Sequence, residues 1–147
     1  MYKDILLPID IYDETLSWEK KLNLALEYST AFNSKLHILY VVPSPQLSFV
    51  QHHFFQSSRE NYKDKIIKEV KAMLKDFVAK NIPENIEVSS IVGLGSVYDC
   101  IIETSEKVNA DLIVIYAHRK GLTDYLLGPN AAKVVRHSNK SVLVIRD

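Results

Sequence analysis

Asp111-Leu112-Ile113-Val114-Ile115 runs straight into Tyr116-Ala117-His118-Arg119-Lys120-Gly121, and Leu126-Leu127-Gly128-Pro129-Asn130 then opens a helical pattern. A short, continuous apolar run bounded by polar residues has the length and character of a strand buried on both faces. Strand, basic loop and glycine at a helix start form the arrangement by which α/β proteins hold phosphate. The first N–H groups of a helix have no intrahelical partner, and the helix dipole favours an anion there. This one stretch therefore predicts an α/β fold and locates its candidate anion site.

The rest of the chain repeats the alternation. Ile5-Leu6-Leu7-Pro8-Ile9 ends at Asp10 and reads as the first buried strand. Residues 15–32 read as a helix, with Leu22, Ala25, Leu26 and Ser29 recurring at helical spacing. Leu36-His37-Ile38-Leu39-Tyr40-Val41-Val42 is the second strand, stopped by Pro43 and Pro45. Residues 59–80 carry an apolar stripe of Ile66, Val70, Met73 and Phe77, flanked by Ile67, Leu74 and Val78, on an otherwise charged helix. Ile86-Glu87-Val88-Ser89-Ser90-Ile91-Val92 alternates as a third strand exposed on one face, and Gly93-Leu94-Gly95-Ser96 reads as a turn. Ser96 is the expected N-cap of a helix over 97–108, with Asp99 in its first turn. Residues 111–115 form the fourth strand, 130–138 a short helix, and 141–145 the fifth strand. The order β-α-β-α-β-α-β-α-β predicts a parallel sheet with helices on both faces, joined by right-handed crossovers.

A length of 147 residues suits one domain, spanning 1–147. Hydrophobic residues make up 47% and charged residues 24%, the balance of a soluble globular chain. Lys plus Arg equals Asp plus Glu at 18 each, which argues against general nucleic-acid binding. No apolar run approaches the length of a membrane span. The N-terminus enters a strand without a signal-like segment, so a cytoplasmic setting is expected. The single cysteine, Cys100, excludes an internal disulfide. It shares a helical face with Val97, Ile101 and Thr104, which reads as a buried structural thiol.

In a doubly wound sheet, ligands bind beyond the carboxyl ends of the strands where strand order reverses. In a 3-2-1-4-5 order the reversal lies between strands one and four. The flanking loops are then Asp10-Ile11-Tyr12-Asp13, which offers carboxylates, and residues 116–128, which offer cations. Asp10 suits a ribose hydroxyl or a metal, and Arg119 or Lys120 suits phosphate. Equally, Asp10 fits a simple turn cap, and His118-Arg119-Lys120 a solvated loop. Neither a GxxxxGK[ST] nor a GxGxxG motif follows the first strand, which disfavours a P-loop enzyme or a dinucleotide dehydrogenase.

Over essentially its whole length the chain resembles the universal stress protein family. The likeness is carried by the opening Met1-Tyr2-Lys3-Asp4-Ile5-Leu6-Leu7-Pro8-Ile9-Asp10, by residues 36–42, by Gly95-Ser96-Val97 and by residues 111–115. It ends with Leu126-Leu127-Gly128-Pro129-Asn130-Ala131-Ala132-Lys133-Val134-Val135-Arg136-His137, followed by residues 141–146. His118-Arg119 and the 125–132 segment are similar to the small bacterial F- and G-type branch. The resemblance implies a three-layer, Rossmann-like fold of the adenine nucleotide alpha hydrolase type, with five parallel strands in the order 3-2-1-4-5. It implies a homodimer, or a tetramer, whose seam is the last strand, here residues 142–145. In one class of members it implies an adenine nucleotide (ATP, ADP or AMP), with Mg²⁺ carried on the nucleotide. Its site residues map to Pro8, Ile9 and Asp10, to Val41 beside the adenine, and to Ile115, Tyr116, His118, Arg119, Gly128, Pro129 and Asn130, with Asp10 also a possible metal contact.

The family's phosphate loop, G-x-x-G-x9-G-[ST], falls on residues 116–129. Here the first glycine position is Tyr116, the second is Arg119, and the Ser or Thr position is Pro129. Gly128 is kept, with a spacer one residue shorter. Arg119 and the shorter spacer match the branch. Tyr116 adds a ring where glycine lets phosphate approach the backbone, and Pro129 removes a hydroxyl and an N–H while favouring the helix start.

Other residues carry two readings each. Phe49-Val50-Gln51-His52-His53-Phe54-Phe55 fits a lid or an oligomer contact, or else a short helix packed on its own domain. His52-His53 has no third ligand nearby in sequence, which disfavours zinc. Asp13 and Glu14 fit a divalent ion with Asp10, or a helix N-terminus without one. Trp18 is expected to pack on the first helix, and His137 to sit favourably at a helix C-terminus. No catalytic base or nucleophile stands out. The leading expectation is a regulatory or protective stress protein that binds an adenine nucleotide. The alternatives are a non-binding interaction dimer and a slow ATP hydrolase.

Overall fold

The computed structural model describes residues 1–10, 17–43, 56–117 and 127–146. Among the described residues, five strands, β1 (Asp4–Pro8), β2 (Lys35–Pro43), β3 (Val88–Gly95), β4 (Leu112–Tyr116) and β5 (Ser141–Ile145), alternate with four helices. The helices are α1 (Ser17–Phe32), α2 (Gln56–Asn81), α3 (Val97–Lys107) and α4 (Pro129–His137). All pairings are parallel and the strand order is β3-β2-β1-β4-β5. The Rossmann-like, three-layer arrangement expected from the alternation is the one observed.

Side-chain alternation along the strands divides the core in two. Ile5, Leu7, Leu36, Ile38 and Val42 face Leu22 and Ala25 of α1 and Val70 and Leu74 of α2. Leu6, Leu39, Val41, Ile113 and Ile115 face Cys100 and Ile101 of α3 and Ala131 and Val134 of α4. β1 is consequently apolar after Asp4, and Ile5, Leu6 and Leu7 are wholly buried. Burial of each such side chain contributes about 1.5–3 kcal/mol. Trp18 reaches beyond its own helix: its ring meets Phe77 of α2 edge-on at 5.0 Å, which ties the two helices of that layer together.

One sequence boundary needs correction. Gly93, Leu94 and Gly95 are strand, not turn, and continue the register with Val41, Val42 and Pro43 of β2. Ile86, expected in the strand, instead sits in the preceding turn, where its N–H donates to Pro83 O. Two glycines read as a turn because glycine usually breaks a strand. Here they serve close packing and chain direction. A Cβ on Gly93 would lie 3.0 Å from both Cβ and Sγ of Cys100, and Gly95 has φ 113°. Ser96 then caps α3, its Oγ accepting from the Asp99 N–H as expected. Asn33 and Asn109, at φ 52° and 50°, end α1 and α3 in the left-handed conformation that asparagine tolerates.

The amino ends of the strands are tied by polar links. Asp111 Oδ2 accepts from the N–H groups of Lys3 and Asp4, at 2.7 and 3.0 Å. Buried His37 bridges three strands, with Nε2 2.8 Å from Asp4 Oδ1 and Nδ1 2.6 Å from Ser89 Oγ. These bonds pair the side chains of Asp111, His37 and Asp4 at this end of the sheet.

Candidate functional site

At the carboxyl ends of β1 and β4 the strand order reverses, and a cavity of about 220 Å³ opens there. Its floor comes from three strands: Pro8 at the end of β1 with Ile9 and Asp10 after it, Leu39, Tyr40 and Val41 on β2, and Ile115 and Tyr116 on β4. The helices supply its walls. α1 contributes Lys21, α3 contributes Val97 and Ile101, and α4 contributes Asn130 and Ala131. The divergence follows from sheet topology. β1 sends its connection to α1 on one face, whereas β4 sends its own to α4 on the other. Backbone bonds fix the strand ends: Ile9 N–H donates to Leu39 O at 2.8 Å, and Ala117 N–H donates to Ile145 O at 2.9 Å.

Seven of the expected site residues, Pro8, Ile9, Asp10, Val41, Ile115, Tyr116 and Asn130, line this one cavity. Gly128 and Pro129 adjoin Asn130 at the start of α4, Gly128 as N-cap and Pro129 at the first turn. Gly128 has no capping side chain, and its carbonyl accepts from Ala132 N–H at 2.9 Å. His118, Arg119 and the aromatic segment 49–55 lie outside the described residues, as do Asp13 and Glu14.

The cavity is chemically divided. Leu39, Val41, Val97, Ile101 and Ile115 make an apolar slot suited to a flat ring. Asp10 and Lys21 bring one carboxylate and one ammonium, and Asn130 brings an amide at the first turn of α4, whose N–H groups have no intrahelical partner. Lys21 Nζ lies 5.9 Å from the centroid of the Tyr116 ring, a cation–π contact of about 0.5–1 kcal/mol in an accessible setting. Gly128 is informative for a different reason. Among the described residues, a Cβ placed there would meet only Ala117 O, at 3.9 Å, an ordinary contact. Among the described residues, packing gives no reason for glycine at this position.

Sequence reasoning missed Lys21, Leu39, Tyr40, Val97, Ile101 and Ala131 as lining residues. Leu39, Tyr40, Val97, Ile101 and Ala131 are neighbours of the residues it chose, and the α3 stripe through Val97 and Ile101 was visible as core. Lys21 had no local signal. It is one of two adjacent lysines on a charged helix, and only the packing of α1 against the sheet turns it toward the cavity. Cys100 is buried as expected, its Sγ donating to Leu94 O at 3.4 Å, and burial pushes its thiol up from the ordinary range. Among the described residues, no His, Cys, Asp and Glu cluster stands in metal-ligating array, and no helix is long and apolar enough to cross a membrane.

Fold and crevice together define a doubly wound α/β protein with a ligand-sized opening at its topological switch point. The model of the universal stress protein family matches residues 1–146, and the chain belongs to that family. It is 32% identical to universal stress protein G of Salmonella typhimurium over 147 residues, covering 99% of this chain and 100% of that one. Among solved structures, that of the protein MJ0577, from Methanocaldococcus jannaschii, superposes with a TM-score of 0.77 at 24% identity, covering 100% of this chain and 97% of that one. A universal stress protein in complex with cAMP gives a TM-score of 0.63 at 22% identity, with 99% and 97% covered. The Archaeoglobus fulgidus universal stress protein in complex with dAMP gives 0.65 at 20% identity, with 98% of each chain covered.

Proposed function

We propose that this universal stress protein binds an adenine nucleotide in the crevice between β1 and β4 and uses it as a conformational or assembly signal in a cytoplasmic stress response. The observation that carries the reading is the cavity itself. An apolar lining lies beside a carboxylate, an ammonium and the first turn of a helix, at the place where this fold class takes ligands. Gly128 supports it: space that no described side chain fills is left open beside the helix start, as close approach of a phosphate requires. The complexes of two family members with cAMP and dAMP make adenine the base to test. In this reading Val41 and Ile115 contact the adenine, Asp10 the ribose or a nucleotide-borne Mg²⁺, and Tyr116, Gly128, Pro129 and Asn130 the phosphate end, with His118 and Arg119 as added cations. The active unit is a homodimer joined through β5.

Titration calorimetry with ATP, ADP and AMP, each with and without Mg²⁺, tests the binding claim. Saturable heat with at least one of them is expected. Silence with all three would leave the second reading, an interaction dimer with a degenerate site. That reading draws on Tyr116 and on Pro129, which begins α4 without an N–H to offer. Hydrolysis is expected to be slow or nil.

A further inference from the structure

At the amino end of the sheet, away from the crevice, three side chains stand as a nucleophile, a base and the base's orienter would. Asp4, His37 and Ser89 lie on β1, β2 and β3, and His37 and Ser89 are partners in the β2–β3 register. Side-chain alternation puts all three on the face that carries Leu6, Leu39 and Ile91, toward α3. His37 Nε2 lies 2.8 Å from Asp4 Oδ1, and Nδ1 lies 2.6 Å from Ser89 Oγ. A carboxylate only accepts, so Nε2 carries the ring proton. In the neutral imidazole Nδ1 then offers its lone pair, and the Ser89 hydroxyl donates to it. Asp4 is held in turn, its N–H donating to Asp111 Oδ2 at 3.0 Å. A hydroxyl bonded to a base that a third group orients is the arrangement of an activated nucleophile. A main-chain donor stands beside it. Leu36 N–H donates to Glu87 O at 2.8 Å, so Glu87 turns its backbone groups toward β2. Backbone direction alternates along a strand, so Ser89 also faces β2 and Ser90 faces away from it. β3 is an edge, and among the described residues no strand meets the Ser90 N–H. The N–H of the residue after a nucleophile is a common oxyanion donor in acyl transfer. Ser89 is half-buried and Ser90 exposed, which leaves this edge open to a small molecule.

We infer that Ser89 is a nucleophilic serine, activated by His37, that takes an acyl group from a small activated ester. Ser89 Oγ attacks the ester carbonyl, and His37 Nδ1 takes the hydroxyl proton and passes it to the departing alcohol. One Oγ–C bond forms, one ester C–O bond breaks, and the serine is left acylated. Ser90 N–H serves the carbonyl oxygen while it carries charge. Asp4 is a positioning residue, which holds the ring in the tautomer that leaves Nδ1 bare. The β1–β4 crevice takes no part, so this site stands or falls apart from the nucleotide reading.

An alkyl fluorophosphonate tests the nucleophile, because its serine adduct is stable: an Oγ–P bond forms, the P–F bond breaks, fluoride leaves and His37 takes the proton. Peptide mass spectrometry then locates the adduct. The parent is expected to carry it on Ser89 and not on Ser90, which is more exposed but has no base. His37→Gln, checked for its fold by circular dichroism, should label roughly 100-fold more slowly or worse, as loss of a general base does. With p-nitrophenyl acetate, Ser89→Ala should release p-nitrophenol roughly 10-fold more slowly than the parent, or slower still. Nitrogen NMR of the His37 ring reads the part played by Asp4. The parent should show Nε2 protonated and Nδ1 bare, and Asp4→Ala should mix the two tautomers. An unlabelled Ser89, equal labelling of Ser89 and Ser90, or a proton on Nδ1 would overturn the inference. So would an undiminished rate in folded His37→Gln, or equal p-nitrophenol release by Ser89→Ala. The labelling pattern and the ring spectrum need only the parent, so they decide the matter even where a variant does not fold.

Discussion

Single atoms decide several features of this fold. Ser29 is buried at 2% exposure inside α1, and its Oγ is the buried side-chain oxygen without a hydrogen-bond partner among the described residues. A buried, unsatisfied hydroxyl carries a desolvation cost, and serine is a weaker helix former than alanine. Ser29→Ala is therefore expected to stabilise the chain by about 1 kcal/mol, seen as a rise in Tm of about 2–4 °C. A fall in Tm would mean that the hydroxyl has a partner. Ser29 was legible as part of the first helix's buried stripe, but not as unsatisfied, because a hydroxyl's partners come from packing. Lys21 shows the same limit from the other side. Spacing shows that it lies beside Leu22 on a helix, but only the angle of α1 to the sheet brings it to Tyr116.

At the scale of elements, the strands with continuous apolar runs were the most readable. β1, β2, β4 and β5 fall within a residue of their expected positions; in β1, β2 and β4 burial on both faces forces a nearly continuous apolar run, and in the edge strand β5 the half-buried Val142-Leu143-Val144-Ile145 keeps one. β3 slid toward Gly95 because it is an edge strand, and its glycines answer to Cys100 and to the β2 register. The links at the amino ends were not legible at all, since Asp111 acts on Lys3 and Asp4 from far along the chain. They have a measurable consequence. The two backbone N–H groups hold the Asp111 carboxyl below its ordinary value of 3.8, so the folded chain binds that proton less readily than the unfolded chain. The stabilisation is fully present above the ordinary carboxylate range and is lost as pH falls through the lowered value. Asp111→Asn keeps an acceptor but loses the charge. It should cost on the order of 1 kcal/mol at pH 7, a figure already discounted for solvent access. Urea unfolding of parent and variant should show the gap closing as pH drops below about 4. A gap independent of pH would place its origin in packing.

For the whole molecule, the alternation of elements made the layers legible, but no periodicity orders five strands. The order 3-2-1-4-5 came with the family resemblance, and it places both the cavity and the two edges of the sheet, β3 and β5. Of these, β5 pairs with β4 among the described strands and leaves Val142, Leu143 and Val144 half-buried. An open apolar edge favours pairing with a second copy, which is the physical content of the proposed dimer. Its geometry can be read from one bond. Ile145 O accepts from Ala117 N–H, so Ile145 directs its backbone groups toward the β4 side. Backbone direction alternates along a strand, so Leu143 shares that direction and Val142 and Val144 face outward. Proline at an outward position removes a donor that only a partner strand would use, and edge strands tolerate it. Val142→Pro is therefore expected to sediment as a monomer with the parent's circular dichroism. Leu143→Pro breaks a bond inside the sheet and should lower stability by about 1–3 kcal/mol. The two outcomes separate loss of the seam from loss of the fold. A parent that sediments as a monomer, or a Val142→Pro dimer as tight as the parent's, would show that β5 is not the seam. The cavity, built from β1, β2 and β4 and three helices of one chain, would keep its described lining in either case.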